Sequence, residues 1–242
     1  MQTPFSFGVK MVEDWQTLAQ LPGIKVLRLL RYGDCPYPNQ DYKLEAQRWM
    51  SLHMPVWTQV HADYYELNNE CSIPTEWFAK FTLEAMKIFD ASMPWGRLII
   101  GSWFPGQPDI SYLWPAWVDT LTYAAQHDHI VGMHAYGIVP TVGVSQSGYW
   151  LAGRPQWVCD YARDNGYLFP DIFITEAGYG DGGTPADLQA IAQDFVDYDQ
   201  LVQTQPCVKG YFWWTISAQD GSRWSNHNID PKLTWVAQHL SP

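Results

Sequence analysis

Two glutamates carry the chemistry this sequence advertises. The runs Tyr64-Tyr65-Glu66-Leu67-Asn68-Asn69-Glu70 and Phe173-Ile174-Thr175-Glu176-Ala177-Gly178-Tyr179 are both β-prone and end on a carboxylate, where a strand would open into a loop. A pair of carboxyl groups flanking a glycosidic bond can break it: one protonates the leaving oxygen and the other attacks the anomeric carbon. Glu70 and Glu176 are about a hundred residues apart, so the fold must bring them together. A closed parallel barrel does so, because all of its strands end on one face.

The elements that would position them are legible. Strand-like runs lie at Phe5–Met11, Ile24–Arg31, Tyr64–Asn68, Arg97–Trp103, Ile130–Tyr136, Asp171–Glu176 and Lys209–Ile216. Helix-length segments fall between most of them, at Gln40–Leu52, Thr75–Phe89, Trp114–Gln126, Arg154–Asn165 and Pro185–Thr204. Strands and helices alternating at this spacing read as repeated β-α units on a parallel sheet. The expected fold is α/β, a (β/α)8-type TIM barrel. The clear runs number seven, whereas such a barrel has eight strands. Val56–Val60 is β-prone, but it ends too close to Tyr64 for a crossover between parallel neighbours. We therefore expect Phe5–Met11 in the place of the second barrel strand, Val56–Val60 unpaired, and a barrel incomplete on its N-terminal side. No linker, repeat or low-complexity segment interrupts the chain, which reads as one domain over residues 1–242.

Composition narrows the partner. A formal charge of −11 argues against nucleic acid, since phosphate binding needs a basic face. No apolar run is long enough to cross a bilayer, so no membrane partner is expected. The first residues carry no basic stretch followed by an apolar core, and both a secreted and a cytoplasmic location stay open. Nothing in the sequence speaks to oligomeric state. Aromatic residues make up 16%, with 14 Trp and 14 Tyr. Sugar rings pack flat C–H faces on aromatic rings, so the excess favours a carbohydrate cleft. Cys35, Cys71, Cys159 and Cys207 are far apart with no C-x-x-C pair, and we expect buried free thiols rather than a metal or disulfide framework.

Four landmarks follow one another in order: Asn69-Glu70 after one strand, His134 and Tyr136 on another, Thr175-Glu176, then Phe212-Trp213-Trp214. Over about Tyr64 to Ser217 this order resembles the retaining glycoside hydrolases of clan A, without pointing to a family within it. The resemblance implies a hydrolase working by double displacement, with Glu70 as acid/base, Glu176 as nucleophile and no cofactor. It also implies that Asn69 bonds the sugar 2-hydroxyl, that Tyr136 bonds the nucleophile, and that Trp214 floors the subsite at the cleaved bond. The two carboxyl groups should then stand about 5–5.5 Å apart.

The residues themselves add to this. His134 and Tyr136 share parity on one strand and would point the same way. Glu66 shares parity with Glu70, so it should point into the barrel and need a cationic partner, Arg28 or Arg31. Arg31 lies nearer the strand's C-terminal end and is the expected active-site arginine, leaving Arg28 a structural role. Trp213 should face the helices. Further candidates sit in loops after strands: Trp103 and Phe104, Tyr179, and Trp224 with Asp220. Trp-rich loops favour an open cleft and an endo cut. His127, Asp128 and His129 precede a strand, on the face opposite the glutamates, so no metal site is expected. Two other readings stay open: a carbohydrate-binding barrel without activity, and a lytic glycosidase acting on cell-wall glycan.

Overall fold

The computed structural model describes residues 8–12, 14–21, 23–30, 33–38, 40–71, 75–109, 115–137, 139, 142–181, 184, 186–214, 225–226 and 228–240. Arg31, Asp220 and Trp224, with the outer ends of the runs that start at Phe5 and finish at Ile216, lie outside them.

Among the described residues seven strands alternate with helices: β1 Gly8–Val12, β2 Ile24–Arg28, β3 Tyr64–Glu66, β4 Leu98–Trp103, β5 Ile130–Tyr136, β6 Ile172–Gly178 and β7 Val208–Trp213. Every neighbouring pair is parallel, in the order β1 to β7. β1 and β7 approach one another, so the sheet curls into a nearly closed barrel. The helices are α1 Trp15–Gln20, α2 Tyr42–Trp57, α3 Thr75–Ser92, α4 Val118–Gln126, α5 Arg154–Asp164, α6 Leu188–Val202 and α7 Leu233–His239. Val56 belongs to the last turn of α2 and Val60 to the turn after it, so that β-prone run pairs with no strand. The helix runs further than Leu52 because its apolar face stays in register with the sheet: Trp49, Met50, His53 and Trp57 are all buried. Asp41 caps its start by accepting from the Lys43 and Leu44 amides.

The barrel interior is built in layers. At the N-terminal end, Val26, Ile99, Ile130 and Phe173 form a separate apolar cluster, joined by Tyr64 and Phe212. Phe173 meets Tyr64 and Phe212 edge to face, the arrangement that aromatic quadrupoles favour. Two to four residues further along the same strands the interior turns polar: Arg28, Glu66, Ser102, His134 and Glu176 are all buried. The apolar residues of opposite parity, such as Leu27, Tyr65, Ile100, Val131 and Ile174, pack outward into the main core with the helices.

Two bulges decide what the upper layer contains. Ile174 pairs with Met133 and Glu176 with His134, so β6 spends one extra residue, Thr175, against β5. The β6–β7 register shows the same extra residue between Ile174 and Ala177. With Phe173 inside, strict alternation would turn Glu176 out to the helices; the bulge at Thr175 turns it back in. In β4 an extra residue falls between Ile100 and Trp103, with Gly101 at φ 86° and Ser102 at φ 39°. Glycine supplies the first of these left-handed conformations at little cost. The bulge points Ser102 into the barrel and Trp103 away from it.

Candidate active site

The upper layer collects its charges around Glu176. Arg28 Nη1 donates to Glu176 Oε1 at 2.6 Å and to Asn69 Oδ1 at 2.6 Å. Lys10, on β1, places Nζ 3.4 Å from the same Glu176 oxygen and 2.8 Å from Glu66 Oε2. Arg28 is also 3.7 Å from Glu66, and Ser102 Oγ donates to Glu66 Oε1 at 2.6 Å. Glu66 therefore points into the barrel as its parity requires, and is paired twice over. Burial alone would push both carboxyl groups up. For Glu176, Lys10, His134 and Arg28 outweigh it and hold the group at about 2. For Glu66, Lys10 and Arg28 outweigh it in the same direction. Arg28 is itself raised: burial disfavours its charge, but Glu66 and Glu176 together more than compensate.

Glu70 occupies a different setting, just past β3. Its side chain keeps a quarter of its surface exposed, against a tenth for Glu176. Its backbone is left-handed, at φ 49°, with the amide donating to the Ser102 carbonyl at 3.0 Å. A non-glycine residue held there costs of order 1–3 kcal/mol and marks a site that its surroundings fix. His134 Nδ1 lies 2.7 Å from Glu70 Oε1 and 3.5 Å from Glu176 Oε2, bridging the two carboxylates. Tyr136 donates its hydroxyl to Glu70 Oε1. One oxygen from each glutamate and a His134 ring nitrogen all lie within 4.8 Å of one another. In isolation these donors would suit a divalent ion, but two buried cations against Glu176 oppose a third.

Comparison with known proteins now bears on the arrangement. No family model matches the sequence, and no curated protein matches it. Solved structures do match by fold. A family 39 glycoside hydrolase from Bacteroides cellulosilyticus WH2 superposes with a TM-score of 0.58 at 13% identity, over 92% of this chain and 53% of its own. The shared fold is the TIM barrel. An endo-β-1,4-glucanase from Xanthomonas axonopodis pv. citri matches at 0.56 and 13% identity, over 96% of this chain and 84% of its own. A family 128 exo-β-1,3-glucanase from Aureobasidium namibiae matches at 0.51 and 12%, over 96% of both chains. The chain spans about half the length of the first neighbour and almost all of the last.

Within this barrel the expected residues do not all meet. Glu70, Glu176, Asn69, His134 and Tyr136 are brought together, and Trp214 stands beside them, its amide donating to the Ala177 carbonyl at 2.6 Å. The hydroxyl of Tyr136 bonds Glu70, where the resemblance implied Glu176 as its partner. Arg28 is corrected from a structural residue to an arginine of the site, because β2 ends there and aims it at Glu176, while the expected Arg31 lies outside the described residues. Trp103 is turned away from the barrel interior. It packs in the core, edge to face with Trp117, because the β4 bulge reverses its side, while Tyr179 is half-buried at the edge of the same core. Phe104, the other aromatic expected after β4, is 46% exposed and meets the Tyr136 ring edge to face. Trp213 faces the helices and stacks on Phe195.

Sequence reasoning missed Lys10 altogether. The signal was present: one cation inside an otherwise apolar run, where burial demands a partner. The cysteines also depart from expectation. Cys35 pairs with Cys71 and Cys159 with Cys207. Cys35 follows β2 and Cys71 follows β3, so parallel neighbours bring together residues that sequence spacing leaves unrelated. His127 and His129 both engage Asp90, at 2.9 and 3.2 Å, at the end of the barrel remote from the glutamates.

Proposed function

We propose that the chain is a retaining glycoside hydrolase acting on a β-linked poly- or oligosaccharide by an endo cut. The observation that carries this is the pairing of Glu70 and Glu176 at close range in opposite settings. Inverting enzymes need about 6.5–9.5 Å between carboxyl groups to admit a water, and an oxygen of each carboxylate here lies within 4.8 Å of an oxygen of the other, which supports the shorter, retaining spacing. Glu176, held ionised by Lys10, His134 and Arg28, suits the nucleophile. Its Oε1 is occupied by Arg28 and Lys10, which leaves Oε2 to attack. The Oε2 lone pair forms the bond to the anomeric carbon as the glycosidic bond breaks, and the departing oxygen takes a proton from Glu70. Glu70 Oε1 is engaged by His134 and Tyr136; among the described residues no hydrogen bond reaches Oε2, which is free to serve that proton. Glu70 then takes a proton from water, the oxygen of that water attacks the anomeric carbon, and the ester bond returns its electron pair to Glu176. Asn69, fixed by Arg28, is placed to bond the 2-hydroxyl, which strengthens in the transition state. The two disulfides fit an oxidising compartment.

A panel of β-glucans, mannans, xylans, galactans and peptidoglycan, scored for released reducing ends, tests the activity. Proton NMR of the first-formed anomer tests the stereochemistry. Release of a β-anomer from a β-linked substrate is expected. An α-anomer would refute retention, and binding without hydrolysis across the panel would favour a carbohydrate-binding barrel.

A further inference from the structure

Lys10 is placed as few lysines are. Its side chain is 4% exposed, and Nζ meets three oxygens: Glu66 Oε2 at 2.8 Å, Thr175 O at 3.1 Å and Glu176 Oε1 at 3.4 Å. The ammonium group donates hydrogen bonds to Thr175 O and Glu176 Oε1 and forms an ion pair with Glu66. The first acceptor is the carbonyl of the extra residue in the β6 bulge. One cation thus pins both the bulge that turns Glu176 inward and the carboxylate the bulge presents.

We infer that Lys10 is the positioning residue for the nucleophile, and that Glu66 is the counter-charge that keeps Lys10 in place when Glu176 is esterified. The inference rests on the retaining reading of the site. When Glu176 becomes an ester its negative charge is gone, and among the described residues Glu66 is the remaining carboxylate ion-paired with both Lys10 and Arg28. Glu66 lies within reach of both and has no exposed side-chain surface. An uncompensated buried charge costs several kcal/mol, so a second carboxylate in the layer answers a definite need. Arginine would serve poorly at position 10, because a planar fork does not reach three acceptors arranged around a point.

The charges facing Glu176 are Lys10 from β1, Arg28 from β2, Glu66 from β3, Glu70 beyond β3 and His134 from β5. Two variants separate charge from geometry. Protein labelled with 13C at glutamate carboxyls reports the Glu176 titration directly, assigned by the resonance lost in Glu176→Gln. In Lys10→Met that titration should move upward by about one pH unit or more, the size of an opposite charge removed at this range. A midpoint within about 0.3 of wild type would overturn the charge role. Lys10→Arg keeps the charge, so Glu176 should titrate near its wild-type value. On the substrate found by the panel, its kcat should fall about ten- to a hundredfold with little change in KM, as expected for a misplaced reacting group. A wild-type kcat in Lys10→Arg would overturn the positioning role, and this variant also stands in if Lys10→Met does not fold. Absence of any turnover in the wild type would defeat the hydrolase reading, while the NMR titration would still decide whether Lys10 governs the charge of Glu176.

Discussion

The two layers inside the barrel share strands but obey opposite rules. Val26, Ile99, Ile130 and Phe173 form the lower one, where ordinary alternation and close packing suffice. Lys10, Arg28, Glu66, Ser102, His134 and Glu176 form the upper one, where charge compensation governs every contact. What separates them is backbone: on β4 and β6 one extra residue resets the alternation between the layers. The lower layer contributes stability by burying apolar area. The upper layer gives up part of it, in buried ions and left-handed backbone, to hold two carboxyl groups apart in environment and close in space.

Substitutions in the upper layer should break function before they break the fold. Glu176→Gln removes the nucleophile and keeps the shape. Turnover should fall by several orders of magnitude while oligosaccharide binding, measured by calorimetry, largely survives, because the lost interaction belongs to the transition state. Glu70→Ala should instead retain formation of the glycosyl-enzyme from substrates with good leaving groups. Added azide should then release a β-glycosyl azide, whereas a small residue at 176 should give the α-product. Equal loss in both variants without azide rescue would contradict this division of roles.

In the lower layer the pattern reverses. Phe173→Ala should cost about 3–5 kcal/mol in urea unfolding, the range for a buried aromatic removed from a packed core, with the remaining folded protein still active. Trp103→Ala should cost a similar amount if its side is as the β4 bulge sets it; a loss of substrate affinity with unchanged stability would return it to the cleft. Replacing Cys159 and Cys207 together by serine should cost about 2–4 kcal/mol.

Acid should tell the layers apart more gently. Glu176 sits at about 2 when folded against an ordinary 4.5, and Glu66 is lowered too. A carboxyl group depressed by folding contributes stability that is full above the ordinary value and lost as pH falls through the folded one. Unfolding free energy should therefore decline from pH 4.5 towards 2, and Phe173→Ala should show the same slope, displaced downward. A steeper slope in that variant would mean the layers are coupled. Phe104→Ala is the smallest effect expected: stability within about 0.5 kcal/mol, since the ring is half exposed, with a modest rise in KM.

Sequence alone determined the alternation of strands and helices, the β3 and β6 runs ending in glutamate, the inward parity of Glu66 and the exclusion of Val56–Val60 from the sheet. Those follow from local periodicity and from the length a parallel crossover needs. It also placed Asn69, Glu70, His134, Tyr136, Glu176 and Trp214 in one neighbourhood, because strands of a parallel barrel all end on one face. Only the tertiary structure decided which arginine meets Glu176, that Lys10 joins it, which face Trp103 takes and which cysteines pair. Each depends on something with no period in the sequence: one inserted residue in a strand, or the distance between the ends of neighbouring strands. A bulge is invisible to alternation by its nature, since it is the place where alternation fails.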